Sequence, residues 1–247
     1  MRNFLVEKPE IKVEKANDKR FYKKLKIEDI EKFYLSSMKS NASFGLEYER
    51  LSLRATDGKS ADYKTVSKII EHFSKISDWE LVFDDKTIIG AKDNLGTTIS
   101  LEPGCQLEIS LKPYKNISDI DLNLSKIITT LDKISKLYDV IFLPYGINPS
   151  QSPDEIKLLD KQRYKIMNNY LPNCSKAELC TTMMRKTAGM QVNIDYSSKK
   201  DAYLKLKFFN LISPFVSGLC VNSPFNNNIL TDNKSNRVNV WLYTGED

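Results

Sequence analysis

The chain is poor in the residues that most often make catalytic and metal sites. Its 247 residues hold one histidine, His72, and four cysteines, Cys105, Cys174, Cys180 and Cys220, with no CxxC spacing. Zinc sites draw on clustered Cys and His ligands, so zinc is not expected. His72 falls in IIEHFSKI, a helical pattern, and reads as a partly exposed helix residue rather than a catalytic one. The thiols are expected to be reduced, as in a cytoplasm, with a Cys174–Cys180 loop bridge as the alternative. Apolar runs are short. The longest candidate, residues 208–221, is interrupted by Pro214 and falls well below the ~20 residues a membrane span requires. MRNFLVEKPEIK breaks into charge before the apolar core of a signal peptide could develop. Neither GxxxxGK[ST] nor GxGxxG occurs, so a phosphate-cradling glycine loop is not expected.

Charge is plentiful but mixed. The net charge is +5, and the most basic stretch, KVEKANDKRFYKKLK (residues 12–26), has acids interleaved. It reads as a solvated helix face, and no nucleic-acid-binding motif accompanies it. Residues 1–40 suggest an N-terminal extension ending in a helix, IEDIEKFYLSSM. FGLEYERLSLR (44–54) alternates as a strand does, and 60–76 returns to helical spacing with Val66, Ile69, Ile70, Phe73 and Ile76 on one face. Four short β-rich runs follow at 79–83, 87–91, 97–102 and 106–111, separated by turn residues, which predicts an antiparallel meander. Beyond it the pattern predicts a helix over 118–138, a strand over 139–147 and a helix over 152–171 opened by Ser-Pro-Asp-Glu. A strand over 189–196, a long helix over 197–221 kinked near Pro214, a polar loop over 226–236 and a last strand over 237–243 complete it. The fold class is α+β, an antiparallel sheet with helices packed on it.

Carboxylates recur in the strands. In GLEYE, Glu47 and Glu49 share one face because side chains alternate along a strand. Glu102 and Glu108 flank the Pro-Gly of SLEPGCQLEIS, where hairpin closure would set their strands side by side. Four carboxylates on one face repel one another unless a cation neutralises them. Oxygen-only ligation suits Mg²⁺ or Mn²⁺ with substrate phosphates. The bland alternative is a set of solvated glutamates on an exposed face. Arg237 could recognise a carboxylate or phosphate bidentately, or simply be solvated at a strand end. Gln191 and Asn193 share a strand face opposite Val192 and could line a pocket or satisfy backbone groups.

Read together, these segments resemble the plant-type glutamate–cysteine ligases, carboxylate–amine ligases related to glutamine synthetase. FGLEYERL is similar to the FGxExE strand, and SLEPGCQLEIS to the S-I-E-P-G-x-Q-x-E-L-S segment. RYKIMNNYLP (163–172) resembles R-Y-x-x-M-x-x-Y-x-P, and MMRKTAGMQVNIDYSS (183–198) resembles M-M-x-x-T-x-x-x-Q-V-N-x-D-x-S-S. VNSPF (221–225) and RVNVW (237–241) resemble A-N-S-P-F and the R-x-x-I-W strand. The resemblance implies a glutamine-synthetase-like catalytic sheet over residues 41–247. It implies ATP-dependent joining of the L-glutamate γ-carboxylate to the L-cysteine amine through a γ-glutamyl phosphate, the first step of glutathione biosynthesis. Glu47, Glu49, Glu102 and Glu108 would then hold Mg²⁺ at the ATP phosphates. Arg237 would contact glutamate, Lys186 would supply a second basic group, with Arg185 as its substitute if the strand register slips, and Gln191 would face the metals.

The resemblance is incomplete. Family members continue past the RxxxW strand, whereas here Leu242, Tyr243, Thr244 and Gly245 replace an Asp-rich continuation. The sheet is therefore expected to be truncated: a fragment, one part of a split enzyme, or a reduced relative, completed by a second polypeptide or a homo-oligomer. A related ligase with another amine acceptor, and an inactive binding or regulatory remnant, are the alternatives.

Overall fold

A computed structural model describes residues 26–244. The basic stretch 12–26 lies almost wholly outside the described residues, as does Gly245. The chain divides into two units, residues 1–38 and 39–247. The first contributes one described helix, α1 (Ile27–Ser36), whose backbone N–H at Lys26 donates to Asp29 at its first turn and which buries no residue.

The second unit is built on an antiparallel sheet. Its strands are β1 (Phe44–Arg54), β2 (Glu80–Asp84), β3 (Thr87–Lys92), β4 (Thr98–Leu101), β5 (Leu107–Ser110), β6 (Val140–Leu143) and β7 (Met190–Ile194). The order is β2-β3-β4-β5-β1-β6, and β7 joins β1 on the side away from β5. The eleven-residue β1 serves two neighbours on that side, its first half pairing with β7 and its last four residues with β6. The meander expected over 79–111 is β2 to β5, and the α+β class holds.

Strand alternation separates the two faces. Leu46 on β1, Ile99 and Leu101 on β4, and Leu107 and Ile109 on β5 point to one side and are buried. There they meet α2 (Tyr63–Ser77) through Val66, Ile69, Ile70 and Phe73, and α3 (Ile117–Ser135) through Leu131 and Ile134. The apolar residues of α2 recur at the spacing of one helix face, and Asp62 caps its start by accepting from Thr65 N at 2.8 Å. Each fully buried side chain of this layer contributes about 1.5–3 kcal/mol of burial. His72 faces Tyr138, whose hydroxyl lies 3.3 Å from Nδ1, a structural placement.

Three expectations change. Residues 237–243 form a helix, α7 (Asn236–Tyr243), not a strand. The V-x-V-x-L alternation suggested β, but the Ser235 hydroxyl caps the segment by accepting from Val238 N, and Arg237 stacks one turn ahead on Trp241. The single helix expected over 152–171 is broken. The Ser152–Glu155 box closes only a 3₁₀ turn, Pro153–Glu155. Ile156 and Leu159 are then buried in extended chain before α4 (Gln162–Tyr170) begins. Finally, α5 (Ala177–Lys186) puts Arg185 and Lys186 in the last turn of a helix rather than in a strand, so no strand register can exchange them. The long α6 (Lys199–Leu219) continues through Pro214, and a two-residue pair, β8 (Phe225–Asn226) and β9 (Ile229–Leu230), precedes α7. All four cysteines are thiols, so the Cys174–Cys180 bridge is absent.

Candidate active site

The sheet face turned away from the core carries the carboxylates. Glu49 of β1 is paired directly with Glu108 of β5, Glu47 with Ser110, and Ser100 of β4 with Glu108. Residues opposite one another in an antiparallel ladder share a face, so Glu47, Glu49 and Glu108 project together. Glu102 follows two residues after Ser100, beyond the end of β4, at the start of the turn into β5. That turn is tightly held. Glu102 N donates to Gln106 O at 2.9 Å, and Cys105 N donates to Glu102 O at 2.8 Å. The Gln106 side chain accepts from Gly104 N at 2.7 Å and donates to Thr187 O at 2.8 Å. Gly104 is required here because a Cβ would come within 2.2 Å of Arg185 O.

The electrostatics are unfavourable, as like charges at close quarters must be. Burial, then the charges of Glu102 and Glu108, push the Glu49 carboxyl up to about 7. A hydrogen bond from Gly189 N and the charge of Arg237 oppose the shift. Glu102 is also raised, first by burial and then by Glu108, against Lys161 and Arg163. Glu108 accepts from Ser110 Oγ at 2.8 Å and Ser100 Oγ at 3.2 Å, and Glu47 accepts from Asn193 Nδ2 at 2.8 Å. Among the described residues, no three Asp, Glu, His or Cys side chains converge on one point to form a ready-made metal cage.

Arg237 approaches the same face from α7. Its guanidinium packs over Gly189, where a Cβ would lie 2.6 Å from Nη2, and Gly189 N donates to Glu49 Oε2 at 2.6 Å. Gly189 therefore lets a cation and a carboxylate share one backbone contact. The Arg237 Nε is buried without a hydrogen-bond partner, and burial lowers the group's proton affinity while Glu49 raises it. Gln191 is paired with Glu47 on β7 and so shares the carboxylate face.

Arg185 and Lys186 are not brought into this cluster. Arg185 donates to Pro153 O at 3.0 Å and Asn168 Oδ1 at 2.5 Å, bracing the 3₁₀ turn against α4. Lys186 is buried, donates to Asn226 and Asn227 Oδ1 at 2.9 Å each, and burial holds its amine down to about 8. Two cations missed in the sequence, Lys161 and Arg163, sit instead near Glu102 and favour its ionised form. Lys161 Nζ donates to Leu101 O at 3.1 Å, while Arg163 is exposed. The signal was present, since Arg163 opens the quoted RYKIMNNYLP segment. A cavity of about 350 Å³ lined by Phe73, Trp79, Tyr114 and Lys112 lies apart from these carboxylates.

The family model described as glutamate-cysteine ligase family 2 (GCS2) matches residues 43–247. The chloroplastic glutamate–cysteine ligase of Brassica juncea is 28% identical over 222 residues, which cover 89% of this chain and 43% of that protein. The chloroplastic enzyme of Medicago truncatula is 29% identical, with 87% and 42% covered. The chain thus spans about two fifths of the length of these curated relatives. A glutamate–cysteine ligase from Francisella tularensis, solved in complex with AMP, aligns with a TM-score of 0.39 and 15% identity over 71% of this chain and 30% of that one.

Proposed function

The chain belongs to glutamate-cysteine ligase family 2, and from that premise we propose that its carboxylate face is the ATP- and glutamate-handling part of a glutamate–cysteine ligase. The observation that carries the reading is the in-register Glu49–Glu108 pair, flanked by Glu47 and Glu102, with Glu49 holding its proton up to about 7. Such a cluster stores repulsion that a hard cation relieves. The donor set fits Mg²⁺, and also Mn²⁺, because it is all oxygen. With no three of these side chains converging on one point, they suit an ion that keeps waters and takes its remaining ligands from substrate phosphates. Glu47, Glu49, Glu102 and Glu108 would hold such ions, no more than two of them to each. Bound there with ATP, the ion would neutralise charge on the phosphoryl group being transferred.

The reaction this supports is L-glutamate plus L-cysteine plus ATP giving γ-glutamylcysteine, ADP and phosphate. A γ-carboxylate oxygen attacks the γ-phosphorus and ADP leaves. The cysteine nitrogen then attacks the acyl carbon, the C–N bond forms, phosphate leaves, and the amine releases a proton. Arg237 supplies a guanidinium for the glutamate carboxylate, and its unpartnered Nε gives it a reason to take one. Gln191 lies beside Glu47 to orient the substrate, and Arg163 provides an exposed positive charge near Glu102 for a phosphate. Lys186 and Arg185 act at one remove, by fixing the loops around the site. Four unbridged thiols suit a reducing compartment, so the reading places the protein in the cytoplasm.

Phosphate release is the test. Incubated with ATP, Mg²⁺ and both amino acids, the protein should release phosphate only when both are present. Release that ignores the amino acids would sink the assignment. Exchanging cysteine for other amines distinguishes a related carboxylate–amine ligase. Calorimetric MgATP binding without turnover would identify a binding remnant.

A further inference from the structure

The cavity lined by Phe73, Trp79 and Tyr114 lies on the helix-covered side of the sheet, opposite the carboxylates. Its volume of about 350 Å³ falls in the range of small-molecule sites. It sits at the far end of the β4–β5 hairpin from the Glu102 turn: Thr97, which lines it, immediately precedes β4, and Lys112 follows two residues after β5. The Phe73 and Trp79 rings meet edge to face, 5.1 Å apart at 86°, which fixes the plane of the indole. The space is held open rather than collapsed. Asp93 Oδ1 accepts from Leu95 N and Thr97 N at 2.8 Å each, and Gly96 turns the chain at φ +97°. Leu95 is thereby kept at the rim, 62% exposed, instead of filling the space. Lys112 N donates to Thr97 Oγ1 at 3.3 Å and ties that loop to the chain beyond β5.

The charges in the lining do not balance. Lys112 and Lys126 both contribute ammonium groups, and among the described residues neither forms an ion pair. Lys112 Nζ stands 5.2 Å from the centre of the Tyr114 ring. Asp93 is the one carboxylate among the lining residues, and its Oδ1 is already engaged by the turn, so the lining carries a net positive charge. Burial, then the charges of Asp93 and Asp119, push the Tyr114 phenol up, so it stays a neutral donor.

We propose that this cavity is a binding site for a small aromatic carboxylate, its ring against Trp79 and Tyr114 and its carboxylate on the Lys112 and Lys126 ammonium groups. An aliphatic acid would leave the ring faces unused, and a cationic ligand would meet two unpaired ammonium groups. Binding here requires neither the carboxylate face nor ligase activity.

The test titrates the full chain, in chelator and without nucleotide, with naphthalene-2-carboxylate, its neutral carboxamide and the cationic naphthalen-2-ylmethylamine. Affinity is read by calorimetry and location by the magnetic resonance signals of the two tryptophan indole N–H groups, Trp79 and Trp241, which Trp79→Phe assigns. The carboxylate is expected to bind with a Kd of about 1 mM or tighter and to move the Trp79 signal. The carboxamide should bind about tenfold more weakly, and the amine more weakly still. Lys126→Gln, at an exposed position, should weaken the carboxylate about threefold, and Lys112→Gln/Lys126→Gln about tenfold, bringing it to the level of the carboxamide. The single variant keeps the charge requirement measurable if the double variant does not fold. Absence of binding at about ten times the expected Kd, or a Trp79 signal that stays in place, overturns the proposal. So does a carboxamide that binds as tightly as the carboxylate, or a lysine variant that binds undiminished, because the charge would then play no part. A change confined to the Trp241 signal would also overturn it, placing the ligand beside Arg237 instead.

Discussion

Replacing Glu49 by Gln separates the energetic burden of the carboxylate face from its use. The Glu49 carboxyl titrates at about 7 in the folded protein, against an ordinary value of 4.5, so the fold favours its protonated form. For an acid shifted upward, the stability due to the shift is complete below the unfolded value and is lost as pH rises from about 4.5 to 7. Above that window the ionised group costs about 3 kcal/mol. Glu102 is shifted the same way and adds to the loss. In Glu49→Gln the neutral amide still offers an oxygen to Gly189 N, so the cost is removed without orphaning that donor. Urea melts in chelator at pH 5 and pH 8 should show the wild type losing stability between them and the variant losing markedly less. At pH 8 the variant should be the more stable by up to about 3 kcal/mol, roughly 6–12 °C in melting temperature for a chain of this size. Added Mg²⁺ should stabilise the wild type at pH 8 and release protons between pH 6 and 7, and should do both less in the variant. A variant less stable than wild type at both pH values, or one that keeps the full pH slope, would refute the reasoning.

Other perturbations reach separate parts of the structure. Phe73→Ala empties a fully buried ring site between α2 and the sheet and should cost about 3–5 kcal/mol in urea melts at any pH from 5 to 8. Gly189→Ala places a methyl 2.6 Å from Arg237 Nη2. It should displace the guanidinium and weaken glutamate binding about tenfold or more by calorimetry, with the far-ultraviolet dichroism unchanged. Lys186 is a base held down to about 8, so its burial costs stability below that pH and the cost fades as pH rises from about 8 to 10.5. Lys186→Met should flatten that rise in urea melts at pH 7.5 and 10. An unchanged slope would show that the amine is not the group responsible.

The sheet was legible because β1 to β5 alternate cleanly and are bounded by turn residues, and both signals are local. The glutamate cluster was legible for the same reason: alternation puts Glu47 and Glu49 on one face, and only the pairing with β5 had to be supplied by the fold. What could not be read locally depends on tertiary choices. RVNVWLY has the alternation of a strand, but a serine cap and an Arg237–Trp241 stack at one-turn spacing make it a helix. Ser152-Pro-Asp-Glu has a good helix start, but burying Ile156 and Leu159 draws the chain straight after one turn. The roles of Arg185 and Lys186 turned on partners far away in sequence, Pro153, Asn168, Asn226 and Asn227, which no spacing discloses. Arg163 stands near Glu102 only because α4 returns across the end of β4, where Tyr164 donates to Leu101 O at 3.1 Å.

The same alternation explains how the chain tolerates so adverse a cluster. A slip of β1 by one residue would turn Glu47 and Glu49 into the layer of Ile69, Ile70 and Phe73 and turn Leu46 out toward the site. Burying two ionised carboxylates without partners costs several kcal/mol each, and the displaced apolar burial adds about 1.5–3 kcal/mol per side chain. Against that, the register observed concedes about 3 kcal/mol at Glu49. The core therefore fixes the carboxylate positions more strongly than their repulsion can disturb them. The repulsion remains available to be relieved by a cation, as the proposed function requires. Because the fixing groups lie on one face and the carboxylates on the other, losses of core packing should lower stability without shifting the pH dependence. Changes among Glu47, Glu49, Glu102 and Glu108 should shift the pH dependence while leaving the sheet register intact.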